Sequence, residues 1–136
     1  PDAEQLAIPL LPLARELLER NGSLYPFGGF LPAGGGEAQV VTSRGDSPYP
    51  LVDRVFAEVV AELRAAIESG RAMAVAVCAD VVVRLPDDDA GTDAVRVSVE
   101  RPGRAGRAYH LPYRRVEGEL RFEDLVIAPA DALVLA

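Results

Sequence analysis

Between Ala72 and Leu85 the chain alternates with period two. Met73, Val75, Val77, Ala79, Val81, Val83 and Leu85 take the odd positions, and Ala72, Ala74, Ala76, Cys78, Asp80, Val82 and Arg84 the even ones. Successive side chains of a strand point to opposite faces. The pattern therefore predicts a long central strand with a bulky apolar odd face in the core and an even face, small and then charged, that is at least partly open. At about 1.5–3 kcal/mol per buried large aliphatic side chain, the odd face contributes on the order of 10 kcal/mol.

Two stretches carry helical spacing instead. Leu10, Leu13, Ala14, Leu17 and Leu18 lie opposite Arg15, Glu16, Glu19 and Arg20, and Asn21-Gly22 is a stop signal. Proline is tolerated in a first turn and disruptive further in, which places the start of this helix at Pro9 or Pro12. The second stripe is Val52, Val55, Phe56, Val59, Leu63, Ala66 and Ile67, opened by Ser47-Pro48 or Tyr49-Pro50 and closed by Ser69-Gly70.

Shorter alternations fill the rest. Leu24 to Leu31 and Glu37 to Ser43 read as a β-hairpin around Gly34-Gly35-Gly36, with Pro26 at an edge or strand start and Gly28-Gly29 marking a bulge or a close backbone approach. After the polar connector containing Asp87, Asp88, Asp89 and Asp93, Val95, Val97 and Val99 alternate with Arg96, Ser98 and Glu100 as a half-buried antiparallel strand. Beyond the turn at Pro102 to Gly106, Tyr109, Leu111 and Tyr113 share one face and Ala108, His110, Pro112 and Arg114 the other. A last strand covers Leu120 to Ile127 with its alternation slipping at Glu123-Asp124, and the apolar tail after it must be tied down.

This order, α-β-β-α-β-β-β(-β), predicts an α+β domain in which an antiparallel sheet of about five to six strands carries two helices mainly on one face. With 136 residues and 49% hydrophobic content, the chain suits a single domain over 1–136 with a real core. The layout resembles, in topology, that of profilin-like and roadblock-type domains, which run helix, hairpin, helix, three strands. The opening helix followed by Tyr25-Pro26-Phe27-Gly28 also resembles a group of small bacterial proteins of unassigned function that place a YPFG segment after an N-terminal helix. Neither resemblance implies an activity.

Charge narrows the partners. The formal charge of -7 argues against binding a phosphate backbone, whose affinity comes from clustered cations, so nucleic acid is not an expected partner. Every basic residue is arginine, which points to a GC-rich coding sequence and a bacterial source. A lone cysteine excludes an intrachain disulfide and suits a reducing, cytoplasmic compartment. Asp80 and Arg84 interrupt the longest apolar run, so no membrane span is expected.

No catalytic constellation emerges. Cys78 and His110 are expected on one sheet face, but Cys78 sits among alanines and valines with no cation to lower its pKa, so it reads as a plain small residue. One cysteine and one histidine do not make a zinc set, and the aspartate cluster fails the calcium-loop pattern, with Ser98 where a bidentate glutamate is required. The triglycine precedes a strand rather than a helix and cannot cradle phosphate, and Arg44-Gly45-Asp46-Ser47 reads as a loop with a helix cap. Neither a metal nor a cofactor is expected.

The preferred expectation is a non-catalytic protein-interaction module. Its surface is the flat strip Ala72, Ala74, Ala76 and Cys78, with Tyr25 and Tyr113 as anchors, covered by the chain's own tail, by a second copy in a homodimer, or by another protein. The alternative is an enzyme or small anionic-ligand-binding domain that uses His110, Asp80, Arg84, Arg96 and Arg114 from the same open face.

Overall fold

The structure, a computed structural model, describes residues 2–43, 49–84 and 90–135. Two helices, α1 (Asp2–Asn21) and α2 (Val52–Glu68), accompany seven strands: β1 (Phe27–Pro32), β2 (Gln39–Val41), β3 (Ala72–Val83), β4 (Thr92–Glu100), β5 (Gly106–Val116), β6 (Glu119–Phe122) and β7 (Val126–Ala130). The sheet runs β2-β1-β3-β4-β5-β6, and β7 also pairs with β5. All pairings are antiparallel. The fold is thus α+β as the sequence predicts, with seven strands because the slip at Glu123-Asp124 divides the last one into β6 and β7. The RGDS stretch, Ser47-Pro48, Leu85 and Asp87 to Asp89 lie outside the described residues.

The helices do not share a face. Leu6, Leu10, Ala14 and Leu18 of α1 pack over Ala74, Ala76 and Cys78 of β3, Val95, Val97 and Val99 of β4, and Tyr109 and Leu111 of β5. On the opposite face Val55, Val59, Leu63 and Ala66 of α2 pack over Val75 and Val77. A central strand that is apolar on both parities must be covered on both sides, and the expectation of one covered face underestimated the even positions. Their small side chains are the seat of a helix. Val75 and Val77 are buried as expected, whereas Val81 and Val83 are only half-buried, because they lie on β3 beyond the residues that pack against α2.

One register shift breaks the strict parity of β3. Leu31 pairs with Ala74 but Pro32 with Ala72, leaving Met73 as the extra residue of a bulge. Ala72 consequently joins the α2 side and Met73 the α1 side.

Helix α1 starts earlier than its prolines suggest, and both Pro9 and Pro12 lie inside it. Each ring removes a donor that would bond the carbonyl four residues back, at Gln5 and Ile8. Those residues and both prolines are exposed, so water can reach the freed carbonyls. Complete burial of Leu6 and Leu10 offsets the cost of prolonging the helix around them. At the far end of α2, Gly70 adopts φ +78°, the Gly70 N–H donates to the Ile67 carbonyl at 3.1 Å and the Arg71 N–H to the Ala66 carbonyl at 2.9 Å. This closure turns the chain directly into β3.

The glycine pair of β1 explains how two helices come so close to one sheet. A Cβ at Gly28 would lie 2.8 Å from Leu63 Cδ1 and 3.0 Å from both Val59 Cγ1 and the Ala76 carbonyl oxygen, while one at Gly29 would lie 3.3 Å from the Leu10 methyls. Gly28 admits α2 and Gly29 admits α1. At the other end of the chain the tail is held by one buried side chain: the Glu100 carboxylate accepts the backbone N–H groups of Leu133 (2.9 Å), Val134 (2.9 Å) and Leu135 (3.0 Å). Arg64 Nε donates to the Val134 carbonyl at 2.8 Å, and the Val134 side chain is fully buried with the α2 cluster.

Gly28→Ala should therefore destabilise the domain by about 1–3 kcal/mol through overpacking against Leu63 and Val59, read as a lower urea midpoint. Glu100→Ala should cost at least about 2 kcal/mol by stranding buried N–H groups. Hydrogen exchange at Leu133 to Leu135 should accelerate in the same variant, and unchanged protection there would show that the carboxylate is not what holds the tail.

Candidate functional site

The small strip is not an open surface. Ala74, Ala76 and Cys78 are fully buried beneath α1, and Ala72 is buried on the other side of the sheet. The tail, offered as a cover for the strip, lies with Val75, Val77 and Val134 on the α2 side. Cys78 and His110 are also separated. Cys78 pairs with Val97, Val97 with Tyr109, and all three enter the α1 cluster. His110 is displaced by one residue and faces the opposite way. Burial, with a smaller contribution from the Asp80 charge, pushes the Cys78 thiol far above its ordinary range.

The five polar residues expected together divide between the two faces. On the α1 side, the Tyr113 hydroxyl donates to Asp80 Oδ1 at 2.7 Å, and the Tyr113 ring stands 5.9 Å from that of Phe122. Arg15 of α1 covers the Phe122 ring at 4.3 Å. Tyr113 is 4% exposed, so it is a core residue with a satisfied hydroxyl rather than a surface anchor. Burial raises the pKa of Asp80, partly countered by that hydrogen bond, and burial and the carboxylate raise that of Tyr113.

On the α2 side, β3, β4, β5 and β7 bring Ala79, Arg96, His110 and Val126 into one row across the sheet. Arg96 and His110 are direct cross-strand partners, each half-buried. Arg96 Nε is buried with no hydrogen-bond partner among the described residues. Burial lowers the pKa of His110, the Arg96 charge lowers it further, and a hydrogen bond to the Val126 backbone works the other way. Arg114 lies further along β5 and pairs with Glu123 at 2.7 Å, and Arg84 is exposed past the end of β3.

A hollow that the sequence did not announce lies at the opposite edge of the sheet. Leu13 and Leu17 of α1, Leu24, Phe27, Val40 of the edge strand β2 and Pro50 line a groove of about 580 Å³. Tyr25 stands at its rim, 46% exposed, with its hydroxyl donating to the Pro50 carbonyl at 3.0 Å. The neighbouring chain is also apolar and exposed: Val40 51%, Tyr49 86%, Leu51 74% and Val52 55%. A second hollow at the N-terminal end of α1 includes Ile8, Pro9 and Ala38. Gln5, Pro9, Leu13, Leu17 and Asn21 recur every four residues and so follow one side of the helix. The available signal was the width of the α1 stripe, since Leu13 and Leu17 fall outside the row Leu6, Leu10, Ala14, Leu18 that meets the sheet.

No family model, no curated protein and no solved structure matches the chain. Among the described residues no group of three or more His, Cys, Asp or Glu side chains is placed to hold a metal ion, and no helix is long and apolar enough to cross a membrane.

A buried, undissociated thiol under a helix should be inert. Native protein at neutral pH should leave Cys78 unlabelled by a thiol reagent over hours, and denaturant should release one fast equivalent. Rapid native labelling would mean that α1 detaches readily from β3.

Proposed function

We propose that the protein is a non-catalytic protein-interaction module of a bacterial cytoplasm, and that its docking surface is the groove between α1 and β2 together with the apolar apron at the start of α2. The observation that carries this reading is a hollow whose floor includes leucines and Phe27 and whose lining includes the exposed Tyr25 and Val40, with the exposed Tyr49, Leu51 and Val52 following in sequence on either side of its lining residue Pro50. Scattered exposed apolar side chains are ordinary, but exposed apolar and tyrosine side chains at and next to a concave apolar floor have the anatomy of a protein interface. Strand β2 lies at the end of the sheet order and, among the described residues, pairs with no strand on its outer side, which suits the addition of another chain. The all-arginine composition and the single buried cysteine support the compartment.

The module reading displaces the surface from the centre of the sheet to its β2 edge. Val40→Glu and Leu51→Glu should each leave stability within about 0.5 kcal/mol of the parent, as surface substitutions do, yet abolish self-association in light scattering or retention of a host protein that the parent captures. Unchanged association in both folded variants would remove the groove from consideration. A parent that neither self-associates nor retains any partner would remove the module reading altogether.

A further inference from the structure

Away from the groove, on the face that carries α2, the structure has a second feature with the chemistry of a binding site. Helix α2 packs against β1, β2 and the first half of β3, leaving the β4–β5 part of that face without a helix. There Arg96 and His110 stand side by side on adjacent strands, and their neighbours on the face are Ala79, Ala94, Ser98, Ala108, Pro112 and Val126. None of those neighbours carries a charge. We propose that the Arg96–His110 pair binds a small organic carboxylate, the guanidinium receiving the carboxylate and the imidazole taking up a proton from solvent to donate to it.

Three observations carry the assignment. First, a guanidinium is a set of donors in a planar fork, and here Arg96 Nε is already stripped of water without gaining a partner among the described residues. A buried donor left unpaired is costly, and because Nε itself is enclosed, a carboxylate would seat on the outer guanidinium nitrogens of this half-buried side chain and reach Nε only as the side chain swings outward to meet it. Second, no described acid occupies the position. Burial is the main influence on both Arg96 and His110, and no described carboxylate acts on either of them. Third, His110 stands between Arg96 on β4 and Val126 on β7 in one row across the sheet, and the Val126 backbone beside the ring favours its protonated form.

The same geometry selects a monoanion over a phosphate. Because β4 is paired on both sides and β5 is flanked by β4 and β7 along this stretch, the sheet ladders occupy the backbone N–H groups that a phosphate site would recruit. The apolar neighbours suit a ligand whose body is hydrocarbon. Of the other charges on this face, Glu100 lies four residues along β4 with its carboxylate taken up by the tail N–H groups, Arg114 is tied to Glu123 and Arg121 lies across from Arg114 beyond the patch, while β7 presents only Val126, Ala128 and Ala130.

His110 is the only histidine, so its ring resonances report on the site without assignment work. Titrating the full chain with benzoate, and in parallel with butyrate and inorganic phosphate at constant ionic strength, should shift those resonances saturably for the two carboxylates. The pH midpoint of His110 should rise as they bind, because the protonated ring is the one that donates. Arg96→Gln should weaken benzoate binding about tenfold or more. Arg104→Gln, an exposed arginine in the β4–β5 turn, should not. Should Arg96→Gln fail to fold, Arg96→Lys keeps the charge without the fork and should still bind several-fold more weakly than the parent. Non-saturating shifts, an unmoved midpoint, equal affinity in a folded Arg96 variant, or tighter binding of phosphate than of benzoate would each overturn the proposal.

Discussion

The burial of β3 on both faces is the constraint from which the other features of this molecule follow. Val75 and Val77 on one side and Ala74, Ala76 and Cys78 on the other are all at or near zero exposure, so each face needs its own cover. The two covers differ because the two faces differ in volume. Bulky valines interdigitate with Val55, Val59 and Leu63 of α2, whereas alanines let the backbone of α1 come down close enough for Leu6, Leu10 and Leu18 to reach past β3 to Val95, Val97 and Tyr109 on β4 and β5. Gly28 and Gly29, on the strand beside β3, extend the same logic, one glycine for each helix.

Closing both faces at the centre of the sheet determines where surface chemistry can remain. One place is the β2 edge, where the strand is only three residues long and α1 presents leucines that no sheet residue fully covers. The other is the part of the α2 face that α2 does not span, where the sheet is capped at one end by the tail that Glu100 holds and carries Arg96 and His110 in between. The covered centre is inert by the same argument. A thiol kept neutral by burial and a buried Tyr113 whose hydroxyl donates outward to the exposed Asp80 are the ordinary polar fittings of a core and its margin.

Local periodicity made much of this legible. The long alternation of β3, the α2 stripe, the hairpin around the triglycine, the need to anchor the tail and the break at Glu123-Asp124 all come from patterns spanning fewer than about twenty residues, where period two and period 3.6 are enforced by backbone geometry alone. The candidate site was less legible. Tyr25 reaches a groove rim and Arg96 meets His110, but Tyr113 turns inward and the alanine strip is closed. The prolines of α1 misled for a related reason, since their cost is local while the burial of Leu6 and Leu10 that outweighs it is tertiary.

What the sequence determined by itself is which residues of each strand go together; what the tertiary structure decided is which sets face each other. The parity of a strand is intrinsic, but the parity match between strands depends on register, and register is set by packing and turns far apart in the chain. Here β3 pairs even positions with odd ones on β4, while β4 pairs like with like on β5. That single offset sends Cys78 to Tyr109 under α1 and Arg96 to His110 on the other face, and so separates the two residues whose shared face was expected. The choice of face for each helix was likewise decided by volume across several strands, which no window of one strand contains.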